Sequence, residues 1–85
     1  GDGNFHVALL IDKNNQSELD KLDSFLIRIS ERAIRMDGTC TGEHGIGQGK
    51  RKYMLKELGN AVDVMKKVKN AFDPKKIMNP GKIFL

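Results

Sequence analysis

With a single cysteine, Cys40, the 85-residue chain has no means of forming an internal disulfide. A small buried thiol is the role that residue's size and chemistry suit best. Tryptophan is absent, and no apolar run approaches the roughly 20 residues a membrane-spanning helix needs. Neither an initiator methionine nor a secretory leader is present. Because the chain opens inside a glycine-rich turn, we expect it to be the C-terminal part of a longer protein. Internal repeats and low-complexity segments are also lacking. Acidic and basic residues are unevenly spread. Residues 1–49 hold five Lys/Arg against eight Asp/Glu, a net −3, whereas residues 50–85 hold ten against three, a net +7. A basic half can indicate a nucleic-acid surface. Here it carries only Tyr53, Phe72 and Phe84 as aromatics and no RNA- or DNA-binding signature, so solvated helix faces or a face toward an acidic neighbouring domain fit better.

What is present suits a small globular domain: hydrophobic residues make up 39% and charged residues 31%, enough of the former to exclude a disordered chain. Phe5–Ile11 is a short apolar run with the composition of a buried strand. Asp12-Lys13-Asn14-Asn15 ends it with turn chemistry. Asn15 then has the character of a helix N-cap, with Glu18 three residues on as the reciprocal partner of a capping box. Leu19, Leu22, Leu26, Ile29 and Ala33 recur every three or four residues, widened by Phe25 and Met36. That spacing predicts an amphipathic helix of about five turns. Gly38 is placed to end it as the C′ residue. After a glycine-rich stretch, Lys50–Leu58 reads as a short helix closed at Gly59. A further helix is expected with Asn60 as cap and Val62, Met65, Val68 and Phe72 as its apolar face, stopped by Asp73-Pro74. Asn79-Pro80-Gly81 is a turn, with Asn79 held extended by the proline after it. One strand followed by helices gives an α+β reading. A lone strand makes no sheet, so its partners are expected outside this chain.

The only two histidines each close a glycine-rich turn: Gly1-Asp2-Gly3-Asn4-Phe5-His6 and Gly42-Glu43-His44-Gly45-Ile46-Gly47. Glycine allows close backbone approach to a ligand, and an imidazole there can bind a metal or move a proton near neutral pH. In an extended loop, adjacent side chains such as Glu43 and His44 point to opposite sides, so one can face a metal and the other a substrate. Imidazole and carboxylate suit Zn²⁺ or Mn²⁺. His6 and Glu43 make two ligands, one fewer than a catalytic zinc site uses. Structural histidines in solvated turns account for the same residues equally well. Residues 42–50 match neither the dinucleotide-binding fingerprint nor a P-loop, which needs Ser/Thr where this chain has Arg51. Asn79 on its own reads as a turn residue. The four methionines read as core filler.

Three segments taken together, GDGNFH at 1–6, GTCTGEHGIG at 38–47 and FDPKKIMNPGK at 72–82, resemble the C-terminal end of the FAD-linked 2-hydroxyacid dehydrogenases. That family includes glycolate oxidase, D-2-hydroxyglutarate dehydrogenase and D-lactate dehydrogenase (cytochrome). The resemblance covers essentially the whole chain. Thr39-Cys40-Thr41 and Gln48-Gly49-Lys50-Arg51 are most similar to the mitochondrial D-lactate dehydrogenase branch. The resemblance implies His6 and Glu43 as ligands to a divalent metal, zinc or manganese, His44 as the catalytic base, and Asn79 beside the flavin ring. A further family histidine lies just upstream of the first turn. Ala8 stands where some relatives have Asn, which favours a small substrate.

Carried to the whole chain, the resemblance implies a cap-domain part with the active-site loop over residues 1–49 and a helical segment over 50–85 that returns to an FAD domain outside this chain. It implies an FAD-dependent enzyme that oxidises a D-2-hydroxy acid, D-lactate in the first instance, to the 2-oxo acid. The electron acceptor would be cytochrome c or a flavoprotein. The location would be mitochondrial in a eukaryote and cytoplasmic otherwise. Without its FAD domain the segment is expected to be inactive. Two other readings stay open: an alkylglycerone-phosphate synthase-like FAD enzyme with no net oxidation, and a small basic interaction domain with structural histidines.

Overall fold

The computed structural model describes residues 2–85. They fall into two compact units, Gly1–Glu43 and His44–Leu85. The first holds helix α1, Gln16–Arg35. The second holds a 3₁₀ turn, Arg51–Tyr53, which runs into α2, Met54–Leu58, and then α3, Ala61–Phe72. Among the described residues there is no strand. The fold is helical, and the α+β expectation is overturned.

The physical reason lies in Phe5–Ile11. A strand exists only through a ladder with a neighbour, and the described residues provide none. Phe5 and Val7 are more than half exposed, Leu9 nearly half and Leu10 fully. The segment has strand composition, but among the described residues there is no second strand for its backbone groups to pair with.

α1 begins as its sequence dictates. The Asn15 side chain accepts from the backbone N–H of Ser17 at 3.0 Å and of Glu18 at 3.3 Å. The second half of the capping box is displaced by three residues. Glu18 accepts from the N–H of Asp12 at 2.6 Å, so it ties down the turn that leads into the cap. Asp12 in turn accepts from Asn14 N–H at 2.9 Å, an Asx turn. Leu19, Leu22, Phe25, Ile29 and Ala33 are half-buried as the spacing predicts, and so are Ile27 and Ile34, with Ser30 buried between them. The covered arc of α1 is therefore wider than the apolar stripe. Phe5, the α1 residues Phe25, Ile29 and Ala33, and Met36 at the helix C-cap line an apolar groove of about 480 Å³.

The end of α1 is a Schellman motif. Gly38 N–H reaches Ala33 O at 2.8 Å and Asp37 N–H reaches Ile34 O at 3.1 Å. The left-handed position is held by Asp37, at φ 59, and not by Gly38. An L-residue pays a steric penalty there that glycine does not. Asp37→Gly is therefore expected to stabilise the chain by about 0.5–1 kcal/mol, read as a higher denaturant midpoint; an unchanged or lower midpoint would refute the assignment of Asp37 to the strained position.

In the second unit, Tyr53, Met54 and Val62 are the buried apolar residues, joined by the carboxylate of Asp73. α2 closes at Gly59, at φ 54. Asn60 departs from expectation: its backbone is already helical and its side chain makes no capping hydrogen bond. Val62 N–H bonds instead to Gly59 O and Asp63 N–H to Asn60 O, so the turn carries the chain directly from one helix into the next. On α3, Val62 is buried and Met65 half-buried, but Val68 and Phe72 lie open. Asp73 ends α3, with its own N–H on Lys69 O at 2.9 Å. So small a core is what a chain of this length can build.

Candidate functional site

The first unit brings together two of the residues its motifs single out. His6 Nε2 lies 3.8 Å from Glu43 Oε2, although the residues are 37 positions apart. Gly42, next to Glu43, lies against the side chain of Asn4. A Cβ at that position would stand 2.8 Å from Oδ1 of Asn4, so a side chain there must push the Asn4 amide aside. Both His6 and Glu43 are exposed. An imidazole and a carboxylate are donor types that suit Zn²⁺ or Mn²⁺. The described residues contain no group of three His, Cys, Asp or Glu able to hold a metal. Among the described residues no third donor of this kind joins the pair. Cys40, also in this unit, is buried.

His44 opens the second unit and is exposed. Glu43 and His44 both lie in a turn rather than in extended backbone, so the simple alternation of neighbouring side chains does not apply to them. Beyond His44, Gly45 and Gly47 take φ 72 and 52, a left-handed conformation that a side chain would disfavour. Lys50 N–H then reaches back to Ile46 O at 3.3 Å and Tyr53 N–H to Lys50 O at 3.0 Å. The loop thus winds into the 3₁₀ turn that starts at Arg51.

Asn79 sits in a second built region of the same unit. It is exposed, at φ 45, so it is not extended as a residue before proline is expected to be. Asn is among the few residues that accept the left-handed region at low cost, and here the turn decides. Lys82 N–H bonds to Asn79 O at 3.3 Å with Gly81 at φ 75, the turn that Pro80 and Gly81 prescribe.

The segment leading to Asn79 is organised by Asp73. One carboxylate oxygen accepts from Ile77 N–H at 3.0 Å and the other from Met78 N–H at 3.0 Å. Lys69, one helical turn earlier, donates to the same carboxylate and also to Met78 O at 2.8 Å. The hydrogen bond from Lys69 holds the Asp73 carboxyl below its usual range, helped by the two backbone N–H groups and opposed by burial. A cavity of about 420 Å³ lies beside this network, lined by Arg51, Lys69, Asp73, Asn79 and Phe84 among others.

The sequence marks Asp73 as the stop of α3 and Arg51 as a mismatch to a phosphate loop, and both as members of motif segments, but gives neither a structural role. The signal for Asp73 was available in Lys69, four residues before it and so on the same helical face. Nothing local signals the bonds of Arg51, which span 30 and 33 positions.

The sequence pattern of FAD linked oxidases, C-terminal domain, matches residues 1–83, and the chain belongs to that family. It is 51% identical over 98% of its length to a probable mitochondrial D-lactate dehydrogenase of Danio rerio. It is 52% identical over 99% to the mitochondrial D-lactate dehydrogenase [cytochrome] 1 of Saccharomyces cerevisiae. To the glycolate oxidase subunit GlcD of Bacillus subtilis it is 44% identical, again over 99%. The chain spans only 17%, 14% and 18% of the lengths of these three relatives. No helix among the described residues is long and apolar enough to cross a membrane.

Proposed function

We propose that this segment forms the substrate-side wall of an FAD-dependent oxidoreductase that converts a D-2-hydroxy acid, foremost D-lactate, to the 2-oxo acid. The observation that carries the reading is the approach of His6 to Glu43 across 37 residues, in a family whose relatives include named D-lactate dehydrogenases. Residues 1–49 would belong to the substrate-capping part and residues 50–85 to a segment that returns to the FAD domain. His6 and Glu43 would supply two donors to a divalent metal, zinc or manganese, with the remaining donor from outside these residues. Held there, a metal would supply acidification of the substrate hydroxyl and a flavin would supply the hydride acceptor.

The chain's own residues would do the rest. His44 takes the hydroxyl proton as general base. The glycines around it keep bulk away, so that a substrate can approach the imidazole. Asn79 presents its amide from a rigid turn to the flavin ring. The acceptor would be a cytochrome or a second flavoprotein, in keeping with the word cytochrome in the name of the yeast relative. A eukaryotic source would place the enzyme in mitochondria.

The deciding experiment expresses a complete polypeptide of the relatives' length that ends in this segment. It is assayed with D-lactate, L-lactate and glycolate against a reducible dye, with metal and flavin content measured on the same sample. Dye reduction with D-lactate over L-lactate is expected. Bound flavin with no acceptor reduction by any 2-hydroxy acid would overturn the reading in favour of a non-oxidative FAD enzyme. In the same polypeptide, Glu43→Gln is expected to lower both metal content and turnover by about 100-fold or more, since a lost ligand is not compensated by a neutral amide. Full metal content in that variant would remove Glu43 from the ligand set.

A further inference from the structure

We infer that Arg51 is a positioning residue that locks the loop bearing His44 to the turn bearing Asn79; this rests on the functional reading above. Three contacts of one guanidinium make the lock. Its Nε donates to Gln48 O at 3.2 Å, inside the glycine loop. Its Nη1 donates to Gly81 O at 2.9 Å, inside the Asn79 turn, and to Phe84 O at 3.5 Å. A planar fork with donors fixed in direction can hold two separate carbonyl groups in register, which a single ammonium cannot do.

A fourth bond closes the same junction from the backbone. Ile83 N–H donates to Gly47 O at 2.7 Å, so the tail meets one of the two left-handed glycines of the His44 loop. Ile83 stands at φ 66, and Phe84 N–H bonds to Lys82 O at 2.7 Å across it. This is a γ-turn centred on a β-branched residue at positive φ, a rare and strained arrangement. Strain of this kind persists only where the surroundings over-determine the conformation. Here the surroundings are the carbonyl of Gly47 and the guanidinium of Arg51. Two segments some 35 positions apart in sequence, one with the proposed base and one with the proposed flavin contact, are thus fastened by the same four bonds. Displacing a catalytic group by about 1 Å costs on the order of 10²-fold in rate, so a fastening at this point governs turnover without touching substrate.

The test uses Arg51→Gln and Arg51→Lys in the complete polypeptide, with rates expressed per bound flavin. Arg51→Gln is expected to lower kcat for D-lactate by about 10–100-fold with KM within about threefold, and to raise the isotope effect on transfer of the Cα hydrogen. Arg51→Lys, able to serve one carbonyl at a time, is expected to fall between the two. Amide hydrogen exchange should quicken together in peptides covering residues 45–50 and 79–85. If Arg51→Gln fails to fold, Arg51→Lys carries the same readouts. Unchanged kcat and isotope effect per flavin would overturn the positioning role. So would exchange that quickens in one peptide but not the other. His44→Ala separates the two levels: if that variant is inactive while Arg51→Gln is normal, only this inference falls. If His44→Ala is fully active, the functional reading beneath it falls too.

Discussion

Under the proposed function, replacing His44 by Ala in the complete polypeptide is expected to lower kcat/KM for D-lactate by about 10²–10⁴-fold, the usual contribution of a positioned general base, with flavin still bound. The expectation follows from where the residue sits. It is exposed on a loop whose glycines at 45 and 47 adopt left-handed backbone, so it contributes nothing to the small core built on Tyr53, Met54 and Val62. A loss of activity there cannot be explained by a lost core contact. His44→Gln retains a polar side chain of similar reach but cannot take up a proton near neutral pH, so it should be nearly as impaired. A variant that keeps even half of the parent activity would return the histidine to a structural role and revive the reading of a small interaction domain.

Asp73→Asn is expected to loosen residues 73–80 more than any other single change in the second unit. The carboxylate is 4% exposed and gathers Lys69, Ile77 N–H and Met78 N–H. An amide can replace only part of that. It brings N–H donors toward a lysine that needs an acceptor, and it removes the charge that the two backbone N–H groups complement. The pH dependence carries a definite sign. Because the folded-state pKa of Asp73 is lowered, chiefly by Lys69, the stabilisation is fully present above the ordinary Asp value near about 4 and is lost as pH falls through the lowered value. Hydrogen exchange of the 73–80 peptide, compared between parent and variant, should therefore differ strongly at neutral pH and converge in acid. Equal protection at neutral pH would show that the turn stands without Asp73. Flavin affinity measured on the same samples reports whether the Asn79 turn matters to the cofactor.

The comparison of Arg51 with Asp73 shows why one was partly legible in sequence and the other was not. Asp73 acts within five residues of itself, and an Asp-Pro pair after a helix with Lys one turn back is a local pattern. Arg51 acts on carbonyls 30 and 33 positions away. Carbonyls belong to every residue, so no side-chain pattern advertises that they will be partners. The same contrast holds for the motif residues. The glycine–histidine turns identified His6, Glu43 and His44 as candidates, but their spacing carried no information about distance. Only the folded path of the chain sets His6 and Glu43 at 3.8 Å.

Local chemistry alone determined the three helices, the Asn15 cap, the stop at Asp73 and the Pro80-Gly81 turn, because helices and turns are closed by bonds between residues at most a few positions apart. Family membership was likewise written in three short motifs. Tertiary structure alone decided that Phe5–Ile11 is not a strand, that Asp37 rather than Gly38 takes the left-handed position, and that Arg51 fastens two loops. A ladder needs a partner that composition cannot supply, and a clamp needs two segments brought together from a distance. Those are properties of the folded path, fixed by contacts between residues that the chain's order keeps apart.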